Sequence, residues 1–235
     1  LMTLARMFEV VLPVSGAAGA ISADVQARGV GAQIAALAIK AQLHELTANN
    51  DSGSIASDRL TMVVDAKLRK EREQWRYEID VAARAGQAYV EPFFVDFGVH
   101  ALAADAAGLF GETGGVIVDT FHIEDADVLA ASGRAVIDVE HTQPLRELEL
   151  KLGKLQFPGA YESYLQPVLH DTNFKALQTS GALSGEIAVT NGAPTDIELS
   201  IANVGVEGGA ENFSIRELGG NVRWRMGEAS QQDRR

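Results

Sequence analysis

The side chains best suited to acid–base chemistry or metal binding near neutral pH are five histidines, His44, His100, His122, His141 and His170. None stands in an H-E-x-x-H arrangement, and no two are spaced as paired metal ligands. Glu124 and Asp125 follow His122 and can help hold a cation, although a solvated surface histidine accounts for the same residues. The chain has no cysteine, which excludes disulfides, thiolate zinc sites and a cysteine nucleophile. No G-x-S-x-G elbow surrounds Ser184, and neither a G-x-x-x-x-G-K-[ST] phosphate loop nor a G-x-G-x-x-G fingerprint occurs. Asp and Glu together number 32, too many for an acid–base pair of the glycosidase kind to be picked by spacing. Trp75, Tyr77 and Trp224 have the flat faces of a sugar platform, but each falls on the apolar side of its own run and reads better as core or groove lining. The expectation is a protein that is not an enzyme, with no catalytic residue, no metal and no cofactor.

What the sequence does carry is alternation. Leu60, Met62, Val64, Ala66 and Leu68 are apolar, with Thr61, Asp65 and Lys67 between them. Trp75, Tyr77, Ile79, Val81 and Ala83 repeat the pattern against Arg76, Glu78 and Asp80. Leu148, Leu150 and Leu152 do so against Glu147, Glu149 and Lys151, and Ile187 and Val189, then Ile197, Leu199 and Ile201, follow. Side chains on a strand alternate faces with a period of two, so each run makes a strand with one apolar and one wet face. Residues 58–84 form the clearest hairpin, with a polar turn at Arg69 to Gln74. Antiparallel pairing then sets Leu68 against Trp75, Ala66 against Tyr77, Val64 against Ile79 and Met62 against Val81.

The remaining segments read less sharply. Ser15 to Gly29 is a weak strand with Ile21, Ala23 and Val25 on one side, after an apolar stretch from Phe8 to Val14. Residues 31–48 are either strand or Ala-rich helix, and strand is favoured because both neighbours are strands. Gln87 to Phe97 is extended and interrupted by Pro92; Val116 to Ile123 and Ala135 to Val139 are short strands. A helix is expected from Pro158 to about Leu177, kinked or shortened by Pro167. Asn191-Gly192 signals a tight turn, and Gly208-Gly209 and Gly219-Gly220 read as turns or bulges between strands.

A net charge of −12 argues against nucleic acid as a partner. The one basic run, Lys67 to Arg72, is expected to be a solvated loop tip. No apolar run approaches the roughly 18 residues of a membrane-spanning helix, and no signal peptide is visible. The chain opens on Leu1 and ends in a polar tail, and we expect a piece of a longer protein. A transmembrane barrel is disfavoured because aromatic positions do not recur at strand ends and the polar faces carry many full charges. Three ways of hiding the apolar face stay open: a closed sandwich, a closed barrel, or an open curved sheet whose groove something else fills. An aliphatic lining suits acyl chains, which need desolvation more than directed hydrogen bonds.

In the C-terminal half, the tract Leu145–Phe157 (LRELELKLGKLQF), then Tyr161–Leu169 (YESYLQPVL) and then Leu177–Trp224 resemble the AsmA-like proteins of Gram-negative bacteria. LQTSGALSGEIAVTNGAPTDIELSIANVGV and FSIRELGGNVRW carry the likeness within the last tract. In that superfamily (AsmA, YhdP, TamB, YdbH), G-x-L-x-G openings precede amphipathic strands and L-x-G-x-V-x-W closes a unit. Here these fall at Gly181 to Gly185 and Leu218 to Trp224. The likeness covers residues 135–226 and, more loosely, 55–100.

The resemblance implies a mainly β fold of long antiparallel amphipathic strands in a curved open sheet or groove, with one short helix near 158–177. Read along the residues, the chain divides into an N-terminal β segment (1–145, with a possible short helical insert at 31–48), a C-terminal β segment (146–226, including the helix 158–177) and the polar tail 227–235. The resemblance also implies a periplasmic location, with attachment to the inner membrane through a segment this chain lacks. The implied role is shielding of phospholipid or other acyl lipid during transport between membranes and outer-membrane biogenesis, with envelope proteins as partners at the ends. The groove would be lined by Leu60, Met62, Val64, Leu68, Trp75, Tyr77, Ile79, Val81, Leu148, Leu150, Leu152, Ile187, Val189, Ile197, Leu199, Ile201, Phe213, Ile215 and Trp224. The alternative is a closed β-sandwich scaffold of the envelope with no ligand.

Overall fold

The computed structural model describes residues 16–31, 33–91, 93–98, 101–111, 115–138, 144–166, 169, 172–208 and 213–226. Phe8 to Val14 and the tail 227–235 lie outside the described residues. Within them the chain is almost entirely strand: β1 (Gly16–Val30), β2 (Gln33–Asn49), β3 (Ile55–Glu71), β4 (Gln74–Val90), β5 (Phe93–Asp96), β6 (Leu102–Gly111), β7 (Gly115–Asp125), β8 (Leu129–Asp138), β9 (Leu145–Phe157), β10 (Leu177–Thr190), β11 (Ala193–Gly208) and β12 (Phe213–Arg225). They form one 12-stranded antiparallel sheet in the order β1-β2-β3-β4-β6-β7-β8-β9-β10-β11-β12. The order follows the chain, as expected when short connections join antiparallel neighbours. β1 and β12 are the two edges, so the sheet is not closed into a barrel. β5 is a side branch that pairs with the far end of β4, beside the start of β6.

Residues 33–49 are strand, in agreement with the favoured reading of that ambiguous segment. Asn191 and Gly192 make the tight turn between β10 and β11, with φ of 52° and 77°, the pair of positive values that a two-residue hairpin turn of this hand requires. β8 pairs antiparallel with β9, from Leu129 opposite Leu155 to Ile137 opposite Leu145.

Four expectations are corrected. The β3–β4 register is offset by two residues: Leu68 pairs with Tyr77, Ala66 with Ile79, Val64 with Val81 and Met62 with Ala83. The turn is only Arg72 and Glu73, with Arg72 at φ 59°, so both strands are longer than the pattern suggested. Lys67 to Glu71 therefore lie in β3 and are not a loop tip. The expected helix at 158–177 is reduced to a short helical stretch ending in a π-helical turn, Tyr161–Leu165, closed by the Gln166 amide donating to the Tyr161 carbonyl at 2.7 Å. Its tyrosines are anchored elsewhere. Tyr161 donates to the Phe174 carbonyl at 2.6 Å and Tyr164 to Asp125 at 2.5 Å, contacts that fix a compact connection in place of a continuing helix. Finally, Gly219-Gly220 is no turn: β12 runs through it as one strand, with a bulge at Glu217 (φ 56°) absorbing the irregularity.

Candidate functional site

Residues paired across antiparallel strands share a face, so the registers trace rows from one edge of the sheet to the other. One row reads Val25, Ile39, Ala66, Ile79, Ala106, Phe121, Gly133, Leu150, Ile187, Ile197 and Trp224. The next row on that face reads Ala23, Ala41, Val64, Val81, Ala104, Ile123, Ala131, Leu152, Gly185, Leu199 and Val222. Both rows visit every strand except β5, and neither contains a polar side chain. The row between them, on the opposite face, reads Asp24, Lys40, Asp65, Asp80, Asp105, His122, Ser132, Lys151, Glu186, Glu198 and Arg223. Period-two alternation thus makes a sheet with one apolar face and one charged face.

The sequence-derived residues whose side chains are described fall on this apolar face. Leu68, Tyr77, Leu148 and Val189 lie in a third row, and Met62 and Ile201 in a fourth. Ile215 pairs with Val206, and Leu60 with Leu46. Trp75 pairs with Phe110, two places along β4 from Tyr77. Phe213 pairs with Gly208 through its backbone. Sequence reasoning missed the middle of the face: Ala104, Ala106 and Phe110 on β6, Phe121 and Ile123 on β7, and Ala131 on β8. Their signal is faint because β6 carries alanine on both faces (Ala103 and Ala107 as well as Ala104 and Ala106).

The face is open. Central residues with a strand on each side, such as Val64, Ile79, Leu150 and Ile187, stay partly exposed. Towards the β12 edge the apolar side chains stand further into solvent, with Trp224 at 44% and Val222 at 47% of full exposure. Measured across the strands, the rows span on the order of 50 Å.

One end of the face is closed. There Phe97, just after β5, packs on Leu60 and Ala83, with Leu43, Leu46, Met62 and Leu102 around it. Beside this cluster the β9–β10 connection buries Ala160 and Tyr161. In the fourth row the one charge is Asp125, opposite Leu102 and Leu129 and only 2% exposed. Its Oδ2 accepts the Tyr164 hydroxyl, while Oδ1 is buried without a partner. Burial raises the Tyr164 phenol above its ordinary 10.0, and the hydrogen bond to Asp125 and that carboxylate's charge add to the rise. Tyr77, 7% exposed, donates to the Ile117 carbonyl at 3.3 Å; burial, then the charge of Asp119, raises its phenol too.

Among the described residues, no group of three or more His, Asp or Glu side chains is placed to hold a metal ion. His122 instead sits beside Asp105, Nδ1 to Oδ2 at 2.9 Å, on the charged face. No helix of the described residues is long and apolar enough to cross a membrane. The chain matches no family model, no curated protein and no solved structure.

Proposed function

We propose that this chain is a periplasmic segment of an AsmA-like envelope protein, whose apolar sheet face shields lipid acyl chains while head groups stay in water. It would be attached to the inner membrane through a segment outside this chain. Its role is in phospholipid movement between membranes and in outer-membrane biogenesis. Transport of this kind needs no catalytic group and no cofactor.

The observation that supports this reading is the pair of uninterrupted apolar rows, open to solvent. Exposed apolar surface of that extent marks a binding surface. An acyl chain spans about 15 Å, half of a bilayer's hydrocarbon core, so the face has room for more than one. Each methylene moved onto it from water contributes about 0.8 kcal/mol if fully buried. A closed scaffold would need a second layer over the same face, whereas the central side chains remain partly exposed.

The test is mass spectrometry of organic extracts from the purified chain and from Val64→Asp and Leu199→Asp. Near-stoichiometric phospholipid in the unmodified protein, reduced about tenfold or more in both variants, is the expected result. Folded variants that carry lipid normally would overturn the assignment.

A further inference from the structure

We propose a phosphate-binding cleft on the charged face, at the end of the sheet opposite the closed one. It is carried by the basic run of β3, which the acyl-shielding reading leaves unused. Arg28, Ala36, Arg69 and Arg76 form one cross-strand row. Gln26, Ala38, Lys67 and Glu78 form the row beside it on the same face. These side chains line a single cleft of about 260 Å³.

Two features mark this place on the charged face. Elsewhere Arg134, Arg216, Arg223 and Arg225 each lie against a carboxylate, those of Glu149, Glu207, Glu198 and Asp196. Here Arg69 stands directly opposite Arg76, a like-charge pairing that destabilises a sheet unless something offsets it. Arg76 has offsets in Glu71 at 2.9 Å and Asp119 at 3.4 Å. Arg28 and Arg69 have no ion pair among the described residues, and of the cleft walls only Glu78 is acidic.

The second feature is shape. Ala36 and Ala38 are small and form the floor between β1 and β3. Arg28 and Arg69 then rise from strands roughly 10 Å apart, two strand spacings. A tetrahedral phosphate fits between two such guanidiniums, each donating charge-assisted hydrogen bonds from its own side. The ligand class is therefore a phosphate group, either free or on a lipid head. Leu37, Leu68 and Tyr77, which lie between the two rows, also border the cleft, but its charged residues occupy the face opposite Val64 and Leu199, so the site does not rest on the acyl-shielding reading.

The experiment is calorimetric titration of inorganic phosphate into the full chain at low ionic strength, where screening is weak. The chain, the double variant Arg28→Gln/Arg69→Gln and the control Arg134→Gln are compared. Saturable one-to-one binding is expected, weakened about tenfold or more in the double variant and unchanged in the control. A second arm uses vesicles of phosphatidylcholine with and without phosphatidylglycerol. Phosphatidylglycerol-dependent binding lost in the double variant supports the site and identifies a lipid phosphate. Phosphate binding without it supports the site and identifies a free anion. Absence of saturable phosphate binding, or equal weakening in the control, would overturn the proposal. Val64→Asp is expected to leave phosphate affinity unchanged, which separates failure of this site from failure of the apolar face.

Discussion

Gly108 decides whether Tyr77 can reach across β6. A Cβ built on Gly108 falls 1.9 Å from the Ile117 carbonyl oxygen and 2.9 Å from the Tyr77 hydroxyl. The first is backbone and cannot swing away. Gly108→Ala is expected to cost about 2 kcal/mol in urea unfolding, against about 1 kcal/mol for Tyr77→Phe, which loses one hydrogen bond. The reverse order would show that close approach is not what requires glycine there. Asp125 and Tyr164 pose a different question, because one carboxylate oxygen is already unpartnered. Tyr164→Phe strips the other and is expected to cost about 1–3 kcal/mol, whereas adding Asp125→Val to it should restore near-parental stability. The Tyr164 phenol is raised in the fold, so its contribution is complete below its ordinary 10.0 and is lost as pH climbs beyond that. Stability above about pH 10 should therefore fall more steeply in the parent than in Tyr164→Phe. None of this was legible in the sequence, where Asp125 stood out only as a neighbour of His122. Its hydroxyl partner lies 39 residues away and meets it only once the β9–β10 connection folds back.

At the scale of elements, alternation identified the apolar side of each strand and could not identify the pairing offset. A two-residue slip returns every side chain to the same face, so Leu68 opposite Trp75 and Leu68 opposite Tyr77 satisfy the pattern equally. The tight turn at Arg72 and Glu73 decides between them. β6 escaped notice because alanine suits either face, and its strand identity comes from the neighbours that pair with it. The 158–177 segment has helical spacing on paper, but its tyrosines are drawn to Phe174 and Asp125, and local periodicity carries no record of that pull. The edges make a separate prediction. Among the described residues β1 and β12 have a neighbour on one side only, so half of their backbone groups have no described strand partner. Amide hydrogen exchange should be markedly faster along Gly16–Val30 and Phe213–Arg225 than along β9 and β10. Equal protection would mean that the edges are covered in solution.

At the scale of the whole molecule, the sheet places most of its charges and its apolar groups on opposite sides; Asp125 at the closed end and Lys70, which lies over Trp75 at the other, are exceptions. That separation gives the acyl-shielding proposal a sharp signature, because neighbouring residues on one strand must behave oppositely. The chain has no cysteine, so single-cysteine variants can each carry one photo-crosslinker at a known place. The most direct measurement is crosslinking to phospholipid acyl chains from positions 63 to 66 on β3 and 198 to 201 on β11. Val63 is the telling control, being apolar yet paired with Gln42 and Ala82 on the charged face. An acyl-shielding face requires strong crosslinks from Val64, Ala66, Leu199 and Ile201 and weak ones from Val63, Asp65, Glu198 and Ser200. Uniform yields along both strands, or yields that follow the hydrophobicity of the replaced residue and not its face, would contradict it.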